Sequence, residues 1–258
     1  TLKVCSGMNW HELVITAVKN NWGGIENSSL MPGTVGAAPI QNIGAYGVEV
    51  KDVILEVKAF DLEKEEFISF SKADCQFGYR DSIFKQEENK EKYFITDVVL
   101  RLKKNPTSFQ VSYGDILKML ELNQVKEYSV KSISDAVIQI RQQKLPDPKD
   151  IGNSGSFFKN PEIPAEQALQ ILLKYPNMPQ YKISDSITKI PAAWLIEKCG
   201  WKGLKVGNTG NHAQQALVIV NYGNASGEEI RQHAIRVQQS VLEKFQIQLQ
   251  AEVNFIPY

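Results

Sequence analysis

PGTVGAAPIQNIGAYGV, residues 32–48, is neither an ordinary helix nor an ordinary strand. It holds four glycines, two prolines and otherwise mostly small side chains. Gly33, Gly36, Gly44 and Gly47 let the backbone approach something closely and adopt angles other residues resist. Successive inward amides in such a loop form an anion-binding concavity without any lysine. That reading predicts a phosphate-bearing cofactor held by main chain; a pair of tight turns is the alternative.

The loop is 17 residues of a 258-residue chain. Hydrophobic residues make up 43% and charged residues 22%, so the chain can bury a sizeable core. Lysine plus arginine equals aspartate plus glutamate at 29 each, so no bulk positive charge points to nucleic acid or to an acidic membrane surface. Apolar runs such as 216–220 are far too short to cross a bilayer. Cys5, Cys75 and Cys199 are widely spaced and odd in number, which fits a reducing, cytoplasmic setting rather than a disulfide framework. His11, His212 and His233 are equally scattered, and no metal site is expected.

Asn9 followed by Glu12 predicts a helix start, with Leu13, Val14 and Val18 on one face and Gly23-Gly24 as its stop. Residues 53–60, 66–70 and 93–102 read as strands, with 61–65 as a hairpin turn and 86–92 as a charged loop. Ile133, Val137 and Ile140 predict an amphipathic helix over 132–143, ended by Leu145-Pro146-Asp147-Pro148 at a domain boundary. Proline-opened helices follow over 164–174 and 191–199, then a buried strand over 216–220. Ser226 and Glu229 cap a last helix carrying Ile230, Ala234, Val237, Val241 and Phe245. Alternation over 247–255 predicts a terminal strand.

Three further places carry candidate chemistry. In FGYRDS, Arg80 offers a fork of donors suited to a carboxylate or phosphate; pairing with Asp81 on a surface turn is the alternative. In GNSGSFFKNP, Ser156 stands just before an aromatic pair, as a nucleophile, a proton donor or a plain turn serine. Glu252 lies on the polar face of the terminal strand, where solvent exposure alone explains most glutamates. There is no phosphate loop of the G-x-x-x-x-G-K-[ST] form and no strand-associated G-x-G-x-x-G, which disfavours a nucleotide triphosphatase or a Rossmann dehydrogenase.

Five segments together resemble the bacterial UDP-N-acetylenolpyruvoylglucosamine reductases, flavoenzymes of peptidoglycan precursor synthesis. They are PGTVGAAPIQNIGAYG at 32–47, FGYRDSIFK at 77–85, KLPDPK at 144–149, GNSGSFFKNP at 152–161 and AEVNFI at 251–256. The resemblance implies an α+β fold. It comprises a partial FAD-binding domain of the vanillyl-alcohol-oxidase type over 1–145, an α+β substrate-binding domain over 146–246, and a C-terminal strand over 247–258 returning to the active site. It implies FAD and NADPH as cofactors, and UDP-N-acetylglucosamine enolpyruvate as the substrate reduced to UDP-N-acetylmuramate. It implies a monomer with no nucleic-acid or membrane partner.

Residue by residue, the resemblance makes Ser156 the proton donor, with Arg80 and Glu252 at the substrate carboxylate. Pro32, Gly33, Gly36, Ala37, Ala38, Ile40, Gln41, Asn42, Gly44, Tyr46 and Gly47 match the cofactor segment. Tyr113, Lys144, Asn160, Tyr181, Lys202 and Gln215 match positions holding the nucleotide diphosphate or its sugar; Tyr113 and Tyr181 suggest the subtype with a tyrosine-bearing loop. The family's upstream glycine-rich loop, ending in G-S-N, has no counterpart, so the chain reads as a fragment lacking the first half of the FAD-binding domain. A truncated UDP-sugar-binding module without redox chemistry is therefore the competing reading. A related flavin oxidase is disfavoured by the phosphate-binding residues.

Overall fold

β-Branched and aromatic residues bounded by turn formers pair as long strands in the computed structural model, which describes residues 1–256. The chain divides into two units, Thr1–Arg141 and Gln142–Tyr258. In the first, the strands are β1 (Leu2–Cys5), β2 (Trp22–Gly23), β3 (Gly44–Ala45), β4 (Val48–Glu49), β5 (Ile54–Asp61), β6 (Glu66–Ser71), β7 (Tyr93–Leu100) and β8 (Lys103–Lys104). Its main sheet is antiparallel, in the order β1-β7-β5-β6. Asp61 closes the β5–β6 turn by accepting from the amides of Glu63 and Lys64.

Helix α1 (Trp10–Lys19) buries Trp10, Leu13, Val14 and Ala17 in the core that contains Val57, Val98 and Leu100. Asn9 caps it by accepting from the Glu12 amide, as its side-chain chemistry dictates. The expected glycine stop is corrected: the helix ends at Lys19, and Asn21 takes the left-handed turn at φ 54°. Gly23 instead sits in β2, where a Cβ would come within 2.6 Å of Pro106 Cγ. Helices α2 (Ile116–Leu122) and α3 (Val130–Lys144) share a separate apolar cluster, with Ile116, Leu120, Ile133, Val137 and Ile140 buried. The sequence pattern predicted α3 and missed α2. Cys75 is buried, and desolvation followed by the Asp74 charge pushes its thiol up to about 12, so it acts as core rather than nucleophile.

The second unit contains β9 (Gly152–Ser156), β10 (Glu162–Pro164), α4 (Ala165–Lys174), β11 (Tyr181–Lys182), β12 (Ile187–Lys189), α5 (Ala192–Lys198), β13 (Lys205–Val206), β14 (Thr209–Asn211), β15 (Val218–Asn221) and α6 (Gly227–Phe245). Its sheets run β13-β14-β15-β9 and β10-β12-β11. The predicted reciprocal cap of α6 is present: Ser226 accepts from the Glu229 amide while the Glu229 carboxylate accepts from the Ser226 amide. Such caps contribute ~1 kcal/mol. Val237, Val241 and Phe245 on this helix share a core with Phe157, Phe158, Leu195 and Ile219.

His233 of α6 is fully buried between Thr209 Oγ1 at 2.9 Å and Asn211 Oδ1 at 2.8 Å. A neutral ring protonated at Nε2 donates to Asn211 Oδ1, which only accepts. Desolvation, then the Arg236 charge, lowers its pKa to about 4.

The terminal segment departs from the expected strand. Ile247 and Leu249 are buried while Gln248 and Gln250 are exposed, so the alternation is real. Among the described residues its pairing is nonetheless one bridge, Phe158 with Ala251. The partner is the chain just beyond the end of β9. Residues 257 and 258 of the predicted strand lie outside the described residues. Among the described residues no helix is long and apolar enough to cross a membrane.

Candidate active site

In the first unit, two motifs that are far apart in sequence are laced into one body. Asn42, fully buried, donates to Glu49 Oε2 at 3.0 Å and to the Gly78 carbonyl at 2.8 Å, and accepts from the Lys51 amide at 3.0 Å. Ser82 Oγ donates to the Ile40 carbonyl at 2.5 Å. Arg80 Nη2 donates to the Gly44 carbonyl at 2.6 Å. The glycine-rich loop and the FGYRDS turn therefore hold each other.

Arg80 itself has φ 54°, a left-handed conformation that non-glycine residues rarely adopt. Gly78 and Asp81 bridge across this turn, and Asp81 Oδ1 accepts from the Ser82 amide at 3.0 Å. A backbone held in a sparsely populated region by surrounding contacts is a feature of functional sites.

The amide-cradle reading of the loop needs correction. The amides of Val35, Gly36, Ala37, Ala38, Ile40, Asn42 and Ile43 donate to protein carbonyls, those of Met8, Ser6, Thr34, Val35, Ala37, Pro39 and Ala38 in turn. They are spent on the fold and do not form a continuous anion nest. Gly36 is required by packing: a Cβ there would lie 2.5 Å from Ser6 Cβ. The loop offers its shape and the side chains around it rather than a row of free N–H groups.

One of those side chains escaped the sequence reading. Arg141 lies one turn beyond Val137 on the inward stripe of α3, and its buried Nε has no hydrogen-bond partner. Desolvation pulls its pKa below the ordinary arginine value, while Tyr46, charged or hydrogen-bonded to it, pulls the other way. His11 is lowered by its own burial and then by Arg141. An unused buried donor beside the loop suits a ligand rich in ring and carbonyl acceptors, and a flavin fits that description. The signal in sequence was a charge continuing an apolar 133–137–140 stripe.

In the second unit, main chain does the positioning. Ser156 ends β9 opposite Val218 and is exposed. Before it, Asn153 Oδ1 accepts from the Gly155 amide at 3.0 Å, and Asn153 Nδ2 donates to the Ile151 carbonyl at 2.9 Å. After it, Phe157 and Phe158 are each 1% exposed and anchor the strand end. The Glu252 amide donates to the Phe157 carbonyl at 2.8 Å, and the Lys159 amide donates to the Gln250 carbonyl at 2.9 Å. The backbones of Ser156 and Glu252 thus lie on neighbouring extended segments. Arg80 belongs to the other unit.

The proposed substrate residues divide by how they are engaged. Asn160 Oδ1 accepts from the Ala192 amide at the start of α5, so its amide hydrogens are what it can offer a ligand. Gln215 Oε1 accepts from the Leu217 amide at 3.4 Å, which orients its NH2 group the same way. Lys202 pairs with Glu197 at 2.9 Å on an exposed surface. Lys144 closes α3 and is exposed; Tyr181, in β11, is 44% exposed. Tyr113 lies beside Gly47 of the loop. Among the described residues no group of three or more His, Cys, Asp or Glu could hold a metal.

Residues 147–256 match the family described as UDP-N-acetylenolpyruvoylglucosamine reductase, C-terminal domain, and residues 1–71 match that described as FAD binding domain. Curated relatives include UDP-N-acetylenolpyruvoylglucosamine reductases from Flavobacterium johnsoniae, 50% identical over 97% of this chain and 74% of the relative. Those from Amoebophilus asiaticus (51%, covering 99% and 75%) and Neisseria gonorrhoeae (49%, covering 98% and 72%) are similar. The chain spans about three quarters of each. A solved reductase from Thermus caldophilus shares the fold at TM-score 0.66 and 23% identity, covering 99% of this chain and 73% of that one.

Proposed function

Since the chain belongs to the UDP-N-acetylenolpyruvoylglucosamine reductase family, we propose that it reduces UDP-N-acetylglucosamine enolpyruvate to UDP-N-acetylmuramate, using FAD and NADPH. This is an oxidoreductase step in peptidoglycan synthesis, and so in cell-wall biogenesis, cell shape and division. We place it in the cytoplasm, which agrees with three cysteines that are all free thiols. The observation that carries the residue-level reading is the presence of Arg80, Ser156 and Glu252, each on a segment held by specific bonds.

FAD, when bound, supplies a carrier that takes a hydride from NADPH and delivers it to the vinylic methylene of the substrate. The loop from Pro32 to Gly47, with Tyr46 and the spare donor of Arg141, would hold it. Arg80 presents fixed positive charge to the substrate carboxylate, where negative charge grows as the double bond is reduced. Glu252 shares that end of the substrate. Ser156 Oγ gives its proton to the carbon bearing the carboxylate, which completes the lactyl ether. Lys144, Asn160 Nδ2, Gln215, Tyr113 and Tyr181 bind the diphosphate and sugar, and Lys202 exchanges Glu197 for a phosphate oxygen.

The test is spectroscopic. Protein mixed with FAD and freed of excess should keep a flavin absorption band. NADPH should bleach the band without oxygen, and the enolpyruvyl sugar should restore it. A protein that binds the UDP-sugar but retains no flavin is instead the binding module.

A further inference from the structure

Two tyrosine–glycine pairs meet in the first unit. Tyr46-Gly47 lies in the proposed cofactor loop, and Tyr113-Gly114 lies in the segment proposed to face the sugar nucleotide. A Cβ on Gly47 would stand 3.1 Å from Tyr113 Cβ, and one on Gly114 would stand 3.3 Å from Tyr46 Cδ1. Each tyrosine therefore covers the other pair's glycine. Tyr46, Gly47 and Gly114 all have positive φ, at 50°, 82° and 68°. Neither segment can shift far without unseating the other.

Asn27 ties them together. It is 1% exposed, and its amide nitrogen donates to the Tyr46 carbonyl at 3.0 Å and to the Gln110 carbonyl at 2.7 Å. Both of its protons are thus spent, one on each loop. The turn carrying Asn27 is itself fixed. Glu26 Oε2 accepts from the Gly24 amide at 2.6 Å, Trp10 Nε1 donates to Ser28 Oγ at 3.1 Å, and Ser29 Oγ bonds Ser134 Oγ at 2.8 Å. A rigid donor gripping two loops transmits order from one to the other.

We infer that Asn27 is a positioning residue that couples the two loops, so that FAD ordering residues 44–47 also orders residues 110–114 for the UDP-sugar. The inference rests on the proposed function. A purely structural Asn27 would contribute stability without coupling.

Amide hydrogen exchange with and without FAD separates the two. In the wild type, FAD is expected to slow exchange across both 44–47 and 110–114. In Asn27→Asp, whose carboxylate faces two carbonyls, protection should persist at 44–47 and fall about tenfold at 110–114. The KM for the UDP-sugar should rise about tenfold while kcat changes by less than about twofold. If Asn27→Asp does not fold, Asn27→Ser serves instead, since it removes both donated bonds without burying a carboxylate, and the same pattern is expected. Equal protection of both segments in the folded variant, or an unchanged KM, overturns the coupling. Wild-type protection limited to 44–47 overturns the coupling alone. No flavin protection anywhere in the wild type overturns the functional reading and the coupling with it.

Discussion

Arg80 and Ser156 are held by opposite means. Arg80 sits in a left-handed turn outside the sheets, fixed by polar side chains: Asn42 on the Gly78 carbonyl, Ser82 on the Ile40 carbonyl, and its own guanidinium on the Gly44 carbonyl. Ser156 ends a paired strand, followed by two buried phenylalanines and the main chain of the terminal segment. The first arrangement depends on the identity of several buried polar residues. The second depends on backbone and apolar packing, and leaves the reactive side chain structurally idle. Stability and activity should therefore be entangled at Arg80 and separable at Ser156.

The largest effect that could break this contrast lies at Arg80. Arg80→Ala should slow steady-state reduction of the UDP-sugar by ~10²–10³-fold, the range for losing a transition-state charge partner. Arg80→Lys should not rescue it, because a single ammonium cannot hold the Gly44 carbonyl and also offer a second fork to the substrate. Wild-type rates for Arg80→Lys would mean that the fork geometry is irrelevant.

Asn42→Ala should cost roughly 2–4 kcal/mol by urea unfolding, as it strands buried partners, whereas Ser156→Ala should stay within about 0.5 kcal/mol. Equal losses would erase the distinction between the two frames. Acid sharpens it from the other side. The folded pKa of His233 lies near 4, below the ordinary value of about 6.5, so the unfolded chain binds a proton that the folded chain refuses. This contribution to stability is complete above about pH 6.5 and shrinks as pH falls towards 4, by up to about 3 kcal/mol. His233→Gln should flatten that part of the pH–stability curve; an unchanged slope would show that the ring does not control it. The smallest effect belongs to Lys144. Lys144→Ala should raise the KM for the UDP-sugar about tenfold with kcat within about twofold, and an unchanged KM would remove its phosphate role.

Elements whose pattern is local were legible from sequence. The β5–β6 hairpin showed itself through two strand-like runs on either side of a turn at 61–65, α3 through Ile133, Val137 and Ile140, and α6 through Ser226 and Glu229. Elements that depend on distant partners were not. β9 is Gly-Asn-Ser-Gly-Ser, with no strand propensity, and it pairs because β15 lies beside it. The glycine-rich loop was legible as a special segment, but the reason for Gly36 is Ser6, thirty positions away. Asn27 gave no local sign at all, since its two acceptors are brought to it only by folding. Arg80, Ser156 and Glu252 were singled out by motif and family resemblance; their holding partners Asn42, Ser82 and Asn153 became visible only in three dimensions.

Rapid mixing of Ser156→Ala tests the central claim most directly, because it times the two halves of the reaction separately in a variant expected to fold normally. Bleaching of the flavin by NADPH should proceed within about twofold of the wild-type rate, and recovery with the enolpyruvyl sugar should be slower by ~10²–10⁴-fold, the usual worth of a lost proton donor. Recovery at the wild-type rate, or equal slowing of both halves, would contradict the assignment of the proton to this hydroxyl.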